Sequence, residues 1–400
     1  MSGLKYWLWL TQIRGLRNQT RLALLRHFPT PEDIYFADEG EILLTKGIDR
    51  QQAALLRNRS LEAADRILGD CQRLNLQLVT LQDAAYPGRL RDIYDPPCLL
   101  YVKGRLPVID EEMVLAVVGT RDCTPYGVAC AERISYGLAS GGAVVASGLA
   151  RGIDSAASRG ALMAGGVTLG LLGCGLDVVY PRENQGLYED VAAAGALISE
   201  YPPGTRPLPG NFPQRNRILS GISVGVLVAE APKQSGALIT ASLALDQGRD
   251  VFAVPGPIDA CASQGCNRLI RDGAGLVSEA GEILESYAAR FPEKLRTSRE
   301  LPVVLEEPLP KAEPAQAEGE AEKPAVPVLS LLDSGLTDDQ IALLRLMSLE
   351  TGVLADELAE GSGIPIRRVL SALTVLEIDG YAVQQAGKRY TRTVELRENA

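Results

Sequence analysis

The stretch "MVLAVVGTRDCTPYGVACAERISYGLASGGAVVASGLARGIDSAASRGAL", Met113 to Leu162, decides the fold. An apolar run, Met113–Val118, ends at Gly119 and is followed by a helical stretch, "VACAERISYGLASGG". A second apolar run, "AVVAS", ends at Gly148 and opens into a second helical stretch. In both runs odd and even positions are apolar, so a strand built from either is buried on both faces. Strands of that kind belong to a parallel sheet covered by helices.

The alternation continues outward. "VTLGLLG", "ALISEY", "VGVLVAE" and "DVFAVPG" are four further runs, with "GALITASLALDQG" a helical stretch among them. Six such runs predict a Rossmann-like, doubly wound α/β domain. A short strand, "CLLYV", leads into it through two prolines, and the whole domain is expected over 81–290.

Upstream, residues 1–80 read as short helices broken by Gly and Pro, a compact module of the SAM or helix-hairpin kind. Downstream, 291–334 is rich in Pro, Glu and Ala without periodicity, the composition of a solvated linker. Residues 335–395 then give three helical segments and a hairpin, the winged-helix layout. "IPIRRVLSALTVLEIDGYAV" would be its recognition helix, with Arg367 and Arg368 near the start and Lys388, Arg389 and Arg392 on the wing. Acidic Asp338, Asp339, Asp356, Glu357 and Glu360 crowd the preceding helices, so DNA reading and protein docking both stay open.

Bulk composition excludes several classes. The chain has 400 residues, 46% hydrophobic and 22% charged, as expected of a folded protein of two or three domains. No apolar run reaches the length of a membrane span, and no signal peptide is expected at the N-terminus. Seven scattered cysteines without a C-x-x-C pattern predict neither a zinc site nor a disulfide framework, and fit a reducing cytoplasm. His27 is the one histidine, far in sequence from every glycine-rich loop, so a Ser/His or Cys/His pair lacks a base there. The net charge of −10 opposes binding of duplex DNA through overall charge and leaves a local basic groove possible.

In an open α/β sheet, ligands bind outside the carboxyl ends of the strands. Those ends read "GTRDCTPYG", "SGLARGID", "GCGLDVVYPREN", "EYPPGTRPLPGNFPQRNR", "EAPKQSGALIT" and "PGPID". Glycines such as Gly119, Gly148 and Gly236 let backbone N–H groups approach an anion, with the hydroxyls of Thr120, Ser147 and Ser235 beside them. Arg121, Arg215 and Arg217 are suited to pair with phosphate, with Asn216 adding polar wall. Phe212 and Tyr126 offer faces for a base. "GLLGCG" is not the dinucleotide fingerprint and no Walker sequence occurs, which disfavours a dinucleotide coenzyme or a hydrolysable triphosphate.

With those motifs read, the chain resembles the DNA-processing protein A family, also called DprA or Smf. The resemblance is carried by "VVGTRDCTPYG", "SGLARGIDSAASRGAL", "GCGLDVVYPREN", "SEYPPGTRPLPGNFPQRNRILSG", "EAPKQSGALITASLALDQGRDVFAVPGPI" and "GCNRLIRDGA", in that order. It implies a homodimer formed through the Rossmann-like domain, with no catalytic residue, no cofactor and no metal. Such a protein binds single-stranded DNA, protects incoming strands in natural transformation and loads the RecA recombinase. Carried onto matching positions, it assigns Arg121 to phosphate, Phe212 to a base, and Arg215, Asn216 and Arg217 to the wall. Two positions depart from the family pattern. Ser158 stands where histidine is common, and Pro209 where several members carry lysine, with Arg206 a candidate substitute.

Two other classes compete. A nucleotide-processing enzyme would use Asp154, Glu200 or Glu230 as acid or base. A transcriptional regulator would read DNA with the winged helix and sense a small ligand in the central domain.

Overall fold

All six apolar runs are strands of one sheet in the computed structural model, which describes residues 3–296, 328–330, 336–349, 352–378, 380–385 and 389–397. The strands are β1 (Gln77–Thr80), β2 (Leu99–Gly104), β3 (Val114–Gly119), β4 (Val144–Ser147), β5 (Thr168–Leu172), β6 (Ala196–Ser199), β7 (Gly225–Glu230), β8 (Asp250–Ala253) and β9 (Gly275–Leu276). They lie in the order β1-β2-β6-β5-β4-β3-β7-β8-β9. From β6 to β9 every pairing is parallel, while β2 runs antiparallel to β6 and β1 antiparallel to β2.

The double-sided apolar reading of β3 explains its burial. Val114, Ala116 and Val118 pack in one core with the helices Asn211–Ile222 and Gly236–Asp246. Leu115 and Val117 pack in the other, with the helices Pro125–Ser140, Ile153–Met163 and Ala280–Tyr287. Burying each such side chain stabilises the fold by about 1.5–3 kcal/mol relative to exposure. The chain winds from β3 through β4 and β5 to β6 on one side, then returns to β7 on the other. That reversal, between β3 and β7, opens a crevice beyond their carboxyl ends.

Six helices between Leu4 and Arg73 form the N-terminal module. Trp9, Leu10, Leu24, Ile34, Ile42 and Leu56 make its core, and the Trp9 indole donates to the Asn58 carbonyl at 2.7 Å. Leu8 packs with Tyr101 and Leu197, which ties the module to the sheet. Residues 77–80, read as the end of that module, are instead an edge strand. The preceding helix stops at Arg73, Asn75 takes a positive φ of 53°, and Val79 and Thr80 bury against β2.

The chain divides into two units, residues 1–304 and 305–400. Composition placed the linker start at 291, but Phe291 and Leu295 are buried in the core under Ala280–Tyr287. The Arg296 N–H donates to the Gly141 carbonyl and Lys294 pairs with Glu112. Two apolar side chains at a spacing of four thus extend the first unit to at least Arg296. Most of the expected linker, residues 297–327 and 331–334, lies outside the described residues.

The second unit is a winged helix. The helices Asp338–Leu346, Ala355–Ser362 and Ile366–Ile378 pack around Leu343, Leu344, Leu358, Leu373 and Leu376. A small sheet of Val353–Leu354, Arg389–Arg392 and Ala382–Gln385 closes them, and Val328–Ser330 pairs with Glu395–Arg397. Arg367 is exposed, whereas Arg368 makes a two-pronged pair with Asp339, both bonds 2.8 Å. Arg389 donates to the Gly352 carbonyl, Arg392 is half-buried, and Lys388 lies outside the described residues. Among the described residues no helix is long and apolar enough to cross a membrane.

Candidate nucleic-acid interface

A cleft of about 550 Å³ lies at the crevice between β3 and β7. Loops from five strands build it: Gly119–Asp122 after β3, Ala150 and Asp154 after β4, Tyr180 after β5, Pro207–Leu219 after β6 and Pro232–Thr240 after β7. Of the residues picked out by sequence, Gly119, Thr120, Arg121, Phe212, Arg215, Asn216, Ser235 and Gly236 line it.

The run "NFPQRNRILSG" is helical from Asn211, and helical spacing decides which side chains reach the cleft. Phe212, Arg215, Asn216 and Leu219 stand at i, i+3, i+4 and i+7 and share the cleft-facing side. Arg217 points elsewhere. Its Nη2 donates to Glu200 at 2.5 Å and its Nε lies 3.3 Å from Asp95. Its expected place in the groove wall is therefore corrected: two residues along a helix from Arg215 is nearly the opposite face.

Arg215 lines the floor rather than the wall. It is only 4% exposed, and its Nη1 donates to the Leu171 carbonyl at 2.8 Å. Gly148 makes this possible, because a Cβ there would collide with the guanidinium. Burial lowers the Arg215 pKa and the facing Asp154 carboxylate opposes that shift. Of the three arginines expected at phosphate, Arg121 is the exposed one.

Arg121 sits over the Phe212 ring, which pairs with Tyr180. Its guanidinium carbon is 5.5 Å from the Phe212 ring centroid, and the Tyr180 ring lies 5.6 Å from Phe212 at 36°. Sequence reading passed over Tyr180. The signal was the Tyr-Pro pair inside "GCGLDVVYPREN", a loop read only for its glycines.

The glycine loops themselves surround a buried carboxyl group, that of Asp154. Asp154 is buried, and backbone N–H groups of Ala150, Gly119 and Gly148 are directed at its carboxylate. Burial raises its pKa, while Arg215 and those N–H groups pull it down. The loop is tightly determined. Leu149 holds a positive φ of 50°, Asn184 donates to its carbonyl at 3.0 Å, and Ser155 donates to the Ala150 carbonyl at 2.6 Å. The open donor site is instead the start of the helix Gly236–Asp246, where Ser235 caps Ala237 and Gly236 is exposed.

Tyr126 and Ser147 are not among the cleft's lining residues. The Tyr126 hydroxyl donates to the Pro255 carbonyl at 2.7 Å, and Ser147, wholly buried, donates to the Val117 carbonyl at 2.8 Å. Gly148 acts beneath the cleft, as the space for Arg215. Ser158 is buried and donates to the Asp154 carbonyl, while Pro209 lines the cleft and Arg206 does not. Glu230 accepts from the Thr124 backbone at 2.8 Å and its hydroxyl at 2.5 Å, pinning the helix that starts at Pro125.

Fold and cleft define a doubly wound α/β protein with a ligand crevice at its topological switch point and a winged-helix unit. Residues 77–288 match the family model of DNA recombination-mediator protein A, and residues 310–388 that of the DprA winged helix domain. Protein Smf of Synechocystis is 33% identical over 401 residues, covering 97% of this chain and 98% of that protein. DNA processing protein DprA of Streptococcus pneumoniae is 45% identical over 208 residues, 52% of this chain and 73% of that protein. The X-ray structure of DNA processing protein A from S. pneumoniae superposes with a TM-score of 0.62 at 37% identity, covering 70% of this chain and 97% of that one. The chain belongs to the DNA recombination-mediator protein A family.

Proposed function

We propose that the protein binds single-stranded DNA along the cleft, without catalysis, and delivers it to a RecA-type recombinase. The carrying observation is the exposed Arg121 over the Phe212–Tyr180 pair at the switch point. Guanidinium beside aromatic faces suits a strand whose bases are unpaired and whose phosphates are regularly spaced. The names of the family and of its relatives, recombination mediator and DNA processing protein, support the same reading. Dimerisation through the Rossmann-like unit and a cytoplasmic setting belong to this proposal through the family resemblance.

The carboxylates of the enzyme reading are structurally engaged. Asp154 gathers loop N–H groups, Glu200 pairs with Arg217, and Glu230 caps a helix through Thr124. This supports binding without acid–base chemistry. The regulator reading loses support from the pairing of Arg368 with Asp339 on the expected recognition helix.

The test is titration of the full chain and Arg121→Ala with a labelled oligothymidylate at several salt concentrations. The variant is expected to bind more weakly and to lose about 0.7 from the log–log salt slope. A folded Arg121→Ala protein with wild-type affinity and slope would overturn the proposal.

A further inference from the structure

Phe212, the residue expected to carry a base, is half-buried and flanked on several sides. Arg121 lies over its ring, Tyr180 packs beside it, and a Cβ at Gly173 would come within 3.1 Å of its edge. The aromatic surface that the cleft presents outward belongs to Tyr180, which is 43% exposed. Its backbone is firmly held: the Tyr188 hydroxyl donates to the Tyr180 carbonyl at 2.7 Å. Asn184, four residues on, ties the same turn to Leu149 and Ser155. A ring on a fixed base loses little freedom when another ring stacks on it.

A cation stands on the loop that neighbours that ring's loop, joined to it through Glu183. Arg151 follows the cleft-lining Ala150, and its electrostatic neighbours include Tyr180 and Asp122, both in the cleft. Its Nε donates to Glu183, three residues beyond Tyr180, with side-chain exposures of 65% and 50%. An ion pair so exposed is weak and screened by salt, so a phosphate can replace the carboxylate at small cost.

We propose that Tyr180 and Arg151 form a second nucleotide subsite at the outer rim of the cleft. The Tyr180 ring takes one base of a single strand, Arg151 takes its phosphate, and Glu183 holds Arg151 when no strand is bound. This rests on the cleft being a single-strand groove, and Arg121→Ala serves as the independent control for that reading.

The experiment uses the full chain and a fluorescein-labelled dT20, read by anisotropy at several NaCl concentrations, with melting curves for each variant. Tyr180→Ala is expected to weaken binding about 5- to 150-fold with an unchanged salt slope, and Tyr180→Phe to restore it. Arg151→Gln should lower affinity and remove about 0.7 from the slope. Glu183→Gln should tighten binding, and only while Arg151 is present. Equal tightening in the Arg151→Gln background would be a general charge effect and would overturn the latch. If Tyr180→Ala melts early, Tyr180→Phe and Arg151→Gln decide. Wild-type binding by Tyr180→Ala and Arg151→Gln, with binding lost in Arg121→Ala, overturns the subsite and leaves the groove. Wild-type binding by all three removes both.

Discussion

Replacing Asp154 by alanine tests whether a carboxylate fills the anion nest of this sheet. Asp154 is 7% exposed and lies near Arg215, itself 4% exposed; the backbone N–H groups of Ala150, Gly119 and Gly148 favour its charged form while burial opposes it. Removing it takes a nearby negative charge from a buried guanidinium. Breaking a buried charge pair from one side costs about 3–5 kcal/mol, and the loss of this counter-charge is expected near the lower end of that range. With a urea m-value of about 3 kcal/mol/M or somewhat more for a unit this large, the midpoint should fall by roughly 1 M. The vacated nest should then accept an external anion. Phosphate at about fifty times its dissociation constant would return about 2.3 kcal/mol through mass action, so phosphate should raise the variant's midpoint well beyond any effect on wild type. Urea melts in chloride and in phosphate at equal ionic strength measure both quantities. An unchanged midpoint would refute the buried pairing. A large loss with identical behaviour in the two salts would refute the nest.

Gly148→Ala should expel the Arg215 guanidinium from its slot and cost about 1–3 kcal/mol, seen as a lower midpoint with Arg121 untouched. Phe212→Ala should lower thermal stability as well as oligonucleotide affinity, because the ring packs on Gly173 and Tyr180; loss of binding with an unchanged melting temperature would show the ring to be a free platform. Thr124→Ala removes both the cap on Gly127 and a partner of Glu230, and should cost about 1–2 kcal/mol by urea melt. Asp339→Ala should change the second unit by less than about 1 kcal/mol, since its partner Arg368 is largely solvated.

The sheet was legible because its central strands are buried on both faces, a demand that only unbroken apolar runs meet. β1 and β9 were not, for "QLVT" adjoins a helical pattern and β9 is two residues long. Burial there comes from the neighbouring strand and leaves little trace in composition. At the site, Arg121 and Phe212 were legible by chemical type, and the switch-point rule brought their loops together. The error over Arg217 came from assigning Arg215, Asn216 and Arg217 to one wall without giving the segment a periodicity. Taken as a helix, the same letters separate Arg215 from Arg217 by about 200°. Asp154 was noticed as a possible acid, but its partners come from the ends of two different strands and from Arg215, which sequence spacing does not bring together.

The buried carboxyl at the glycine loops bears on how a fold so often used for nucleotides would serve the polymer proposed here. Glycine loops at the ends of β3 and β4 would ordinarily offer N–H groups to a diphosphate, held deep and facing inward. The buried Asp154 carboxyl lies at those loops, its pKa raised by burial and lowered by Arg215. A phosphate arriving from solvent meets a neutralised floor. In the proposed groove the exposed donors are on the rim: Arg121, the start of the helix at Gly236 and, in the proposed subsite, Arg151. A rim binds a ligand that passes across it, and a deep nest binds one that ends inside it. Rim contacts also need no overall positive charge, since at physiological salt a charge is felt over about 8 Å. A chain of net charge −10 can therefore hold a polyanion through a few exposed guanidinium groups, with strong salt dependence as the necessary consequence.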